Sequence, residues 1–185
     1  IEALNTMNRK FPASPLVVDA NMEIAKTYMA DERFRDAIPY LNNVIKMQGN
    51  NPQKPQAYLR MGIAYYNLNN TGEALNQFRA VVNQYPNSEE ANDALENVKT
   101  IYIETGKPDE YARFMREVGK PLSVSTEDSL SYSAAEIQYQ EGNINAALTA
   151  FNNYLQKFPG GVYAVDANFY RAEIYAAKKD WKNAL

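Results

Sequence analysis

Histidine and cysteine are both missing from these 185 residues. Their absence excludes Ser-His-Asp and Cys-His nucleophilic sites, most zinc sites and the commonest general base. It also leaves no disulfide from which a redox compartment could be read. Glycine is scarce, at eight residues, and no Gly-x-Gly-x-x-Gly or Walker-type loop occurs. Gly106-Lys107 lacks the upstream glycine spacing that a phosphate cradle needs. Basic clusters are absent too. Nineteen Lys and Arg face twenty-two Asp and Glu, for a net charge of −3, so nucleic acid is not an expected partner. No apolar run approaches the length of a transmembrane segment, and no signal-peptide pattern is present. No loop gathers the several oxygens that calcium requires. Carboxylate pairs do occur, at Glu89-Glu90, Asp109-Glu110 and Glu127-Asp128. Each is read as opening a helix, where negative charge offsets the positive end of the dipole. The chain is therefore expected to be non-catalytic, with no cofactor and no metal.

What is present is a period. Ala37, Ala74, Tyr111, Ala147 and Ala184 are spaced by 37, 37, 36 and 37 residues. Each lies where a polar turn runs into an apolar pattern of helical spacing, which is the signature of a stacked repeat. Apolar residues recur on one face, as in Ile24 with Tyr28 and Met61 with Tyr65. Small residues at Ala25, Gly62, Ala135 and Ala172 permit close helix contact. Ser14-Pro15 reads as an N-cap with proline at the first helical position. Ser88 caps a helix opened by Glu89 and Glu90, and Ser125 or Thr126 stands in the same relation to Glu127 and Asp128. Gly106 and Gly142 end the first helices of their pairs. The predicted helices are 15–29, 33–47, 53–68, 71–84, 89–105, 108–118, 126–140, 143–157 and 162–178. Pro39 falls in the second of these, where its lost donor would face Arg35 within the first two turns, so a mild kink is expected and not a break.

The clearest unit runs from Pro55 to Pro86. It holds Tyr58-x-x-Met61-Gly62-x-x-Tyr65, then Ala74-x-x-x-Phe78, Val81 and Pro86. This resembles the tetratricopeptide repeat, with Tyr for the usual Trp and Met for Leu. Ile24-Ala25-x-x-Tyr28 with Ala37-x-x-x-Leu41, Ala147-x-x-x-Phe151-x-x-Tyr154, and Ala172-x-x-Tyr175 with Trp181-x-x-Ala184 match in register. The third unit fits least, with Lys99 at a small-residue position and Tyr111 in place of Ala. The resemblance implies an all-α, right-handed superhelix of about five helix pairs that acts as a protein-interaction scaffold. Residues 1–118 would hold the end of a preceding repeat plus repeats one to three. Residues 119–125 would form a longer loop, either a hinge or a rigid turn, and residues 126–185 would hold repeat four and a truncated repeat five. Both ends fall inside the pattern, so an excerpt of a longer array, able to associate end to end, is expected.

In such arrays the first helices line a concave groove. By register that groove is assigned to Met22, Lys26, Leu59, Arg60, Ile63, Tyr66, Tyr132, Tyr139 and Phe169. The alternative for each is packing between helices. The expected partner is a protein or peptide. The carboxylate recognition that some relatives achieve with a Lys, Asn and Arg cluster is not matched by Met22, Lys26, Leu59 and Arg60. The openings Phe11-Pro, Tyr85-Pro and Phe158-Pro resemble bacterial periplasmic repeat proteins and lipoproteins of outer-membrane assembly and division. They imply a cell-envelope location, with the cytoplasm as the alternative. A second functional reading is glycan capture by exposed rings, since the chain has fourteen tyrosines. It predicts that tyrosines lie outside the helix-packing slots of Tyr28, Tyr65 and Tyr175.

Overall fold

A computed structural model of the chain describes residues 1–11, 14, 16–49 and 51–184. Among them are eleven helices: α1 Glu2–Lys10, α2 Leu16–Ala30, α3 Phe34–Lys46, α4 Lys54–Asn67, α5 Thr71–Gln84, α6 Glu89–Glu104, α7 Pro108–Glu117, α8 Val124–Gln140, α9 Ile144–Lys157, α10 Ala164–Ala177 and α11 Trp181–Ala184. No strand occurs among the described residues. Pro15, expected at the first position of α2, and Leu185 lie outside them. The chain divides into two compact units, Ile1–Val98 and Lys99–Leu185, with the boundary inside α6 and not in the 119–125 segment.

One turn accounts for the period. Glu32, Asn69, Gly106, Gly142 and Lys179 all take positive φ, between 56° and 77°. They follow one another at 37, 37, 36 and 37 residues, in step with the repeat. In each case the next amide reaches back to a carbonyl five residues earlier. Arg33 N–H donates to Tyr28 O, Asn70 to Tyr65 O, Lys107 to Tyr102 O, Asn143 to Gln138 O and Asp180 to Tyr175 O, at 2.7–2.9 Å. This is the left-handed C-terminal cap that satisfies otherwise orphaned carbonyls and reverses the chain for the second helix of each pair.

In the first unit α2 packs on α3, α3 on α4, and α4 on α5. Met22, Ala25, Ala37, Leu41, Val44, Ala57 and Met61 form one core. Phe78 of α5 is fully buried and lies against Gly62 of α4. A Cβ on that glycine would sit 2.5–2.9 Å from three ring carbons. The α3 helix runs unbroken through Pro39, because only the first-turn region loses a donor. Asn70 caps α5, its side chain accepting from Glu73 N–H at 3.2 Å, and Ser88 does the same for Ala91 N–H at 3.1 Å.

In the second unit α8 packs on α9, α9 on α10 and α7 on α8. Its core gathers Tyr132, Ala135, Ala147, Phe151, Tyr154, Ala167 and Ile174. Tyr111 is 4 % exposed, so the larger side chain at the third marker position is buried as Ala37, Ala74 and Ala147 are. The start of α8 differs from the expectation. Ser123, not Ser125 or Thr126, is the cap: its Oγ accepts from Thr126 N–H at 3.1 Å. The helix therefore begins at Val124 and takes in Ser125, shortening the expected loop.

Two stability predictions follow from this packing. Gly62→Leu should cost about 1–3 kcal/mol net through overpacking against Phe78, despite about 1 kcal/mol of gained helix propensity. Glu32→Gly should raise stability by a few tenths to about 1 kcal/mol, by relieving a left-handed residue at some cost in unfolded-state entropy. Urea denaturation measures both, and a Gly62→Leu midpoint equal to wild type would mean that the ring is not seated on that helix.

Candidate functional site

The first unit presents a depression between α4 and the opening turns of α6. Gln56, Leu59, Arg60, Ile63, Glu89, Glu90 and Asp93 line a volume of about 320 Å³. Leu59 and Arg60 each lie three or four residues from both Gln56 and Ile63, which puts the four on one side of α4. Leu59 is 8 % exposed, and Arg60, Ile63 and Tyr66 are half-buried. The Nε of Arg60 is buried with no hydrogen-bond partner among the described residues. Of the other residues assigned to the groove in this unit, Lys26 is partly exposed and its Nζ donates to Glu23 at 2.6 Å. Met22 is not at the surface. At 1 % exposure it belongs to the core with Ala25 and Leu41, because the α2 side chain at this register turns into α3.

The second unit shows the same mixture. Tyr132 is 7 % exposed and stacks on Tyr163 with ring centroids 4.5 Å apart. That corrects its assignment to an open wall. Tyr163 precedes α10, and no helical register could have placed its ring there. Burial, aided by Glu136, which accepts from the hydroxyl at 3.3 Å, pushes the Tyr132 phenol well above its ordinary range. Tyr139 is half-buried and donates to Glu173 at 3.1 Å, and that bond raises its pKa. Phe169 is open, at 60 % exposure. With Ala172, Glu173, Ala176, Trp181 and Ala184 it lines an apolar depression of about 390 Å³.

Sequence reasoning missed a buried polar latch. Because α8 begins at Val124, Glu127 lies in its first turn, as expected, but Asp128 falls at the start of the second turn and is not part of a solvated pair at its tip. Asp128 is 5 % exposed. Its Oδ1 accepts from Tyr154 Oη at 2.6 Å and its Oδ2 from Val162 N–H at 2.9 Å. Tyr154 Oη in turn accepts from Tyr163 N–H at 3.1 Å. A Cβ on Gly161 would meet Tyr154 Oη at 2.5 Å and Asp128 Oδ1 at 2.8 Å, so only glycine fits this crossing. Nearby, Lys157 Nζ donates to Asp109 at 2.6 Å and to Glu127 at 2.9 Å, tying α9 to α7 and α8. The signal for the latch was a tyrosine at a core position followed by Gly160-Gly161, which alone does not identify its carboxylate.

None of the fourteen tyrosines is exposed. Tyr28, Tyr65, Tyr102 and Tyr175 occupy one equivalent slot, each supplying the carbonyl that the left-handed turn requires. The glycan reading needed open rings and loses that support. Among the described residues no group of three or more acidic side chains could hold a metal ion, and no helix is long and apolar enough to cross a membrane.

Two family models, each described as tetratricopeptide repeat, match residues 19–98 and 132–185, together most of the chain. No curated protein matches it. Among solved structures it is similar to a tetratricopeptide repeat protein from Parabacteroides merdae, at 18% identity over 99% of this chain and 67% of that one, with a TM-score of 0.53. It is also similar to a MamA protein, at 14% identity over 92% of this chain and 87% of that one, with a TM-score of 0.50. At such identities the likeness shows the fold alone. Neither the models nor these structures tie the chain to outer-membrane assembly lipoproteins.

The latch carries a pH prediction. Burial first, then the bond to Asp128, raises the Tyr154 hydroxyl from 10.0 to about 12. A folded-state pKa above the unfolded one disfavours phenolate in the fold. The associated stability is fully present below about pH 10 and is lost as pH rises from about 10 to about 12. Tyr154→Phe should remove this part of the alkaline loss. It should also cost about 1–3 kcal/mol at neutral pH, by leaving Asp128 short of a donor. Thermal melts of both proteins across that pH range test the pair of statements, and an unchanged alkaline slope would contradict them.

Proposed function

The chain belongs to the tetratricopeptide repeat family, and we propose that it is a protein-interaction module whose first helices receive a protein or peptide partner. Arrays of this family generally serve as interaction scaffolds. One observation supports the reading most directly. The depression of α4 and α6 combines the apolar Leu59 and Ile63 with charged Arg60, Glu89, Glu90 and Asp93. An apolar floor with a charged rim is the usual anatomy of a partner site. The second helices, by contrast, place Leu41, Val44, Phe78, Val81, Phe151 and Tyr154 in the cores. The chain's lack of histidine and cysteine favours a binding role over catalysis. A bacterial envelope location is part of the proposal, on the resemblance of the Phe11-Pro, Tyr85-Pro and Phe158-Pro openings, and fractionation of the cells that make the protein tests it.

The binding role is tested by affinity capture from a cell extract with wild type and with Arg60→Glu/Ile63→Glu. Both changes lie on the half-exposed face of α4, so the fold should survive, as circular dichroism can establish. Captured partner should fall at least about tenfold, equivalent to about 1.4 kcal/mol. Tyr139→Ala in the second unit should weaken capture less if the α4 face is the main anchor. Undiminished capture by the double variant would move the site to the second helices or the turns.

A further inference from the structure

The depression in the first unit has an unbalanced charge. Glu89, Glu90 and Asp93 enter it from α6, and Arg60 from α4. No described residue forms an ion pair with any of the three carboxylates, and none forms one with Arg60. Three acceptor groups and one cation therefore share a small volume with Leu59 and Ile63, and no described residue forms an ion pair with any of them. The Arg60 Nε is in addition a buried donor without an acceptor. Unfilled capacity of this kind is uncommon in native structures. The equivalent register in the second unit is acidic too. Glu136 and Glu173 take the positions that Ile63 holds, and tyrosine hydroxyls are their hydrogen-bond donors.

We propose that the α4–α6 depression docks an extended protein segment in which a Lys or Arg stands beside an apolar residue. The inference rests on the interaction role argued above and names the chemical class of its partner. Each part of such a segment meets a group on the page. The ammonium or guanidinium donates to one or two of the carboxylates of Glu89, Glu90 and Asp93 in charge-assisted bonds, within the field of the rest. The apolar side chain covers Ile63 and the edge of Leu59. A main-chain carbonyl of the segment accepts from Arg60. An acidic segment would bring its charge against three carboxylates and one cation, and nucleic acid would do the same with its phosphates. Glu89 and Glu90 also suit the positive end of α6, but that role does not need Asp93, one turn further on.

Three short fluorescent peptides of one pattern test this, with Ser and Leu constant and the variable positions all Lys, all Ser or all Glu. Anisotropy titrations use the whole chain, its E89Q/E90Q/D93N variant, and a D31N/E73Q/E117Q variant with the same change in net charge at exposed positions elsewhere. The Lys peptide should bind most tightly and weaken as salt rises. Its Kd should rise at least about fivefold for the depression variant and less than twofold for the control, a contrast expected of a local charge contact. Equal losses in both variants would reduce the effect to net charge and overturn the proposal. Tighter binding of the Ser or Glu peptide would overturn the basic class while leaving the interaction role standing. Absence of binding by any peptide would also overturn the proposal, and the capture experiment with Arg60→Glu/Ile63→Glu would separately decide the interaction role.

Discussion

The structure depends on how closely the two helices of a pair approach. Phe78 can be fully buried only because Gly62 has no side chain at the point of contact. Phe151 and Ala135 hold the equivalent positions in the second unit and share one core. A fully buried aromatic ring contributes a few kcal/mol, but only when its cavity is filled without strain. The small residue on the first helix and the wedge on the second are therefore one feature divided between two sequence positions. Fixing it fixes the rotation of both helices. Everything else about a pair, including which side chains of the first helix are left for a partner, follows from that rotation.

The turn between the helices carries the second constraint. A residue in the left-handed region closes each first helix, and its follower bonds back to the carbonyl five residues earlier. Glycine fills that place at Gly106 and Gly142, but Glu32, Asn69 and Lys179 fill it elsewhere. For glutamate or lysine this conformation costs on the order of 1 kcal/mol. It persists because the adjoining helices fix the geometry on both sides. Only the glycines announced these turns in the sequence. The other three were legible through the spacing alone, which shows why the period was a stronger guide here than local propensity.

Most of the fold could be read from the sequence because the apolar pattern repeats and the errors do not. Helices α4 through α7 fall within a residue or so of their expected bounds. The start of α8 does not, because three hydroxyl residues stand in line and only the contact from Ser123 Oγ to Thr126 N–H selects among them. The candidate site was less legible. Register gives the direction of a Cα–Cβ bond on an isolated helix, but not what arrives from a loop. Ile63, Arg60 and Lys26 lie on partly exposed faces. Tyr132 was lost to Tyr163, and Met22 to the α3 core. Asp128 was misread for a related reason. A carboxylate near a helix start resembles dipole compensation until a tyrosine from another helix is seen to donate to it.

These misreadings share a physical cause that also bears on function. In this chain the tyrosines serve the frame, whereas Phe169 and Trp181 stay exposed. Tyr132, Tyr154 and Phe151 form one cluster, and the tyrosines of the turn slot hold the repeats in step. A binding face on α4 therefore relies little on aromatic anchors, unlike many interfaces. It has Leu59 and Ile63 for apolar contact, and charge for the rest. Charge on an exposed face gives selectivity and association rate more readily than affinity. A module built this way would discriminate partners by sign, and would gain strength where several modest contacts act together along one segment. That division suits a repeat protein, in which the core residues are confined by packing while the surface of each first helix can change with little cost to the fold.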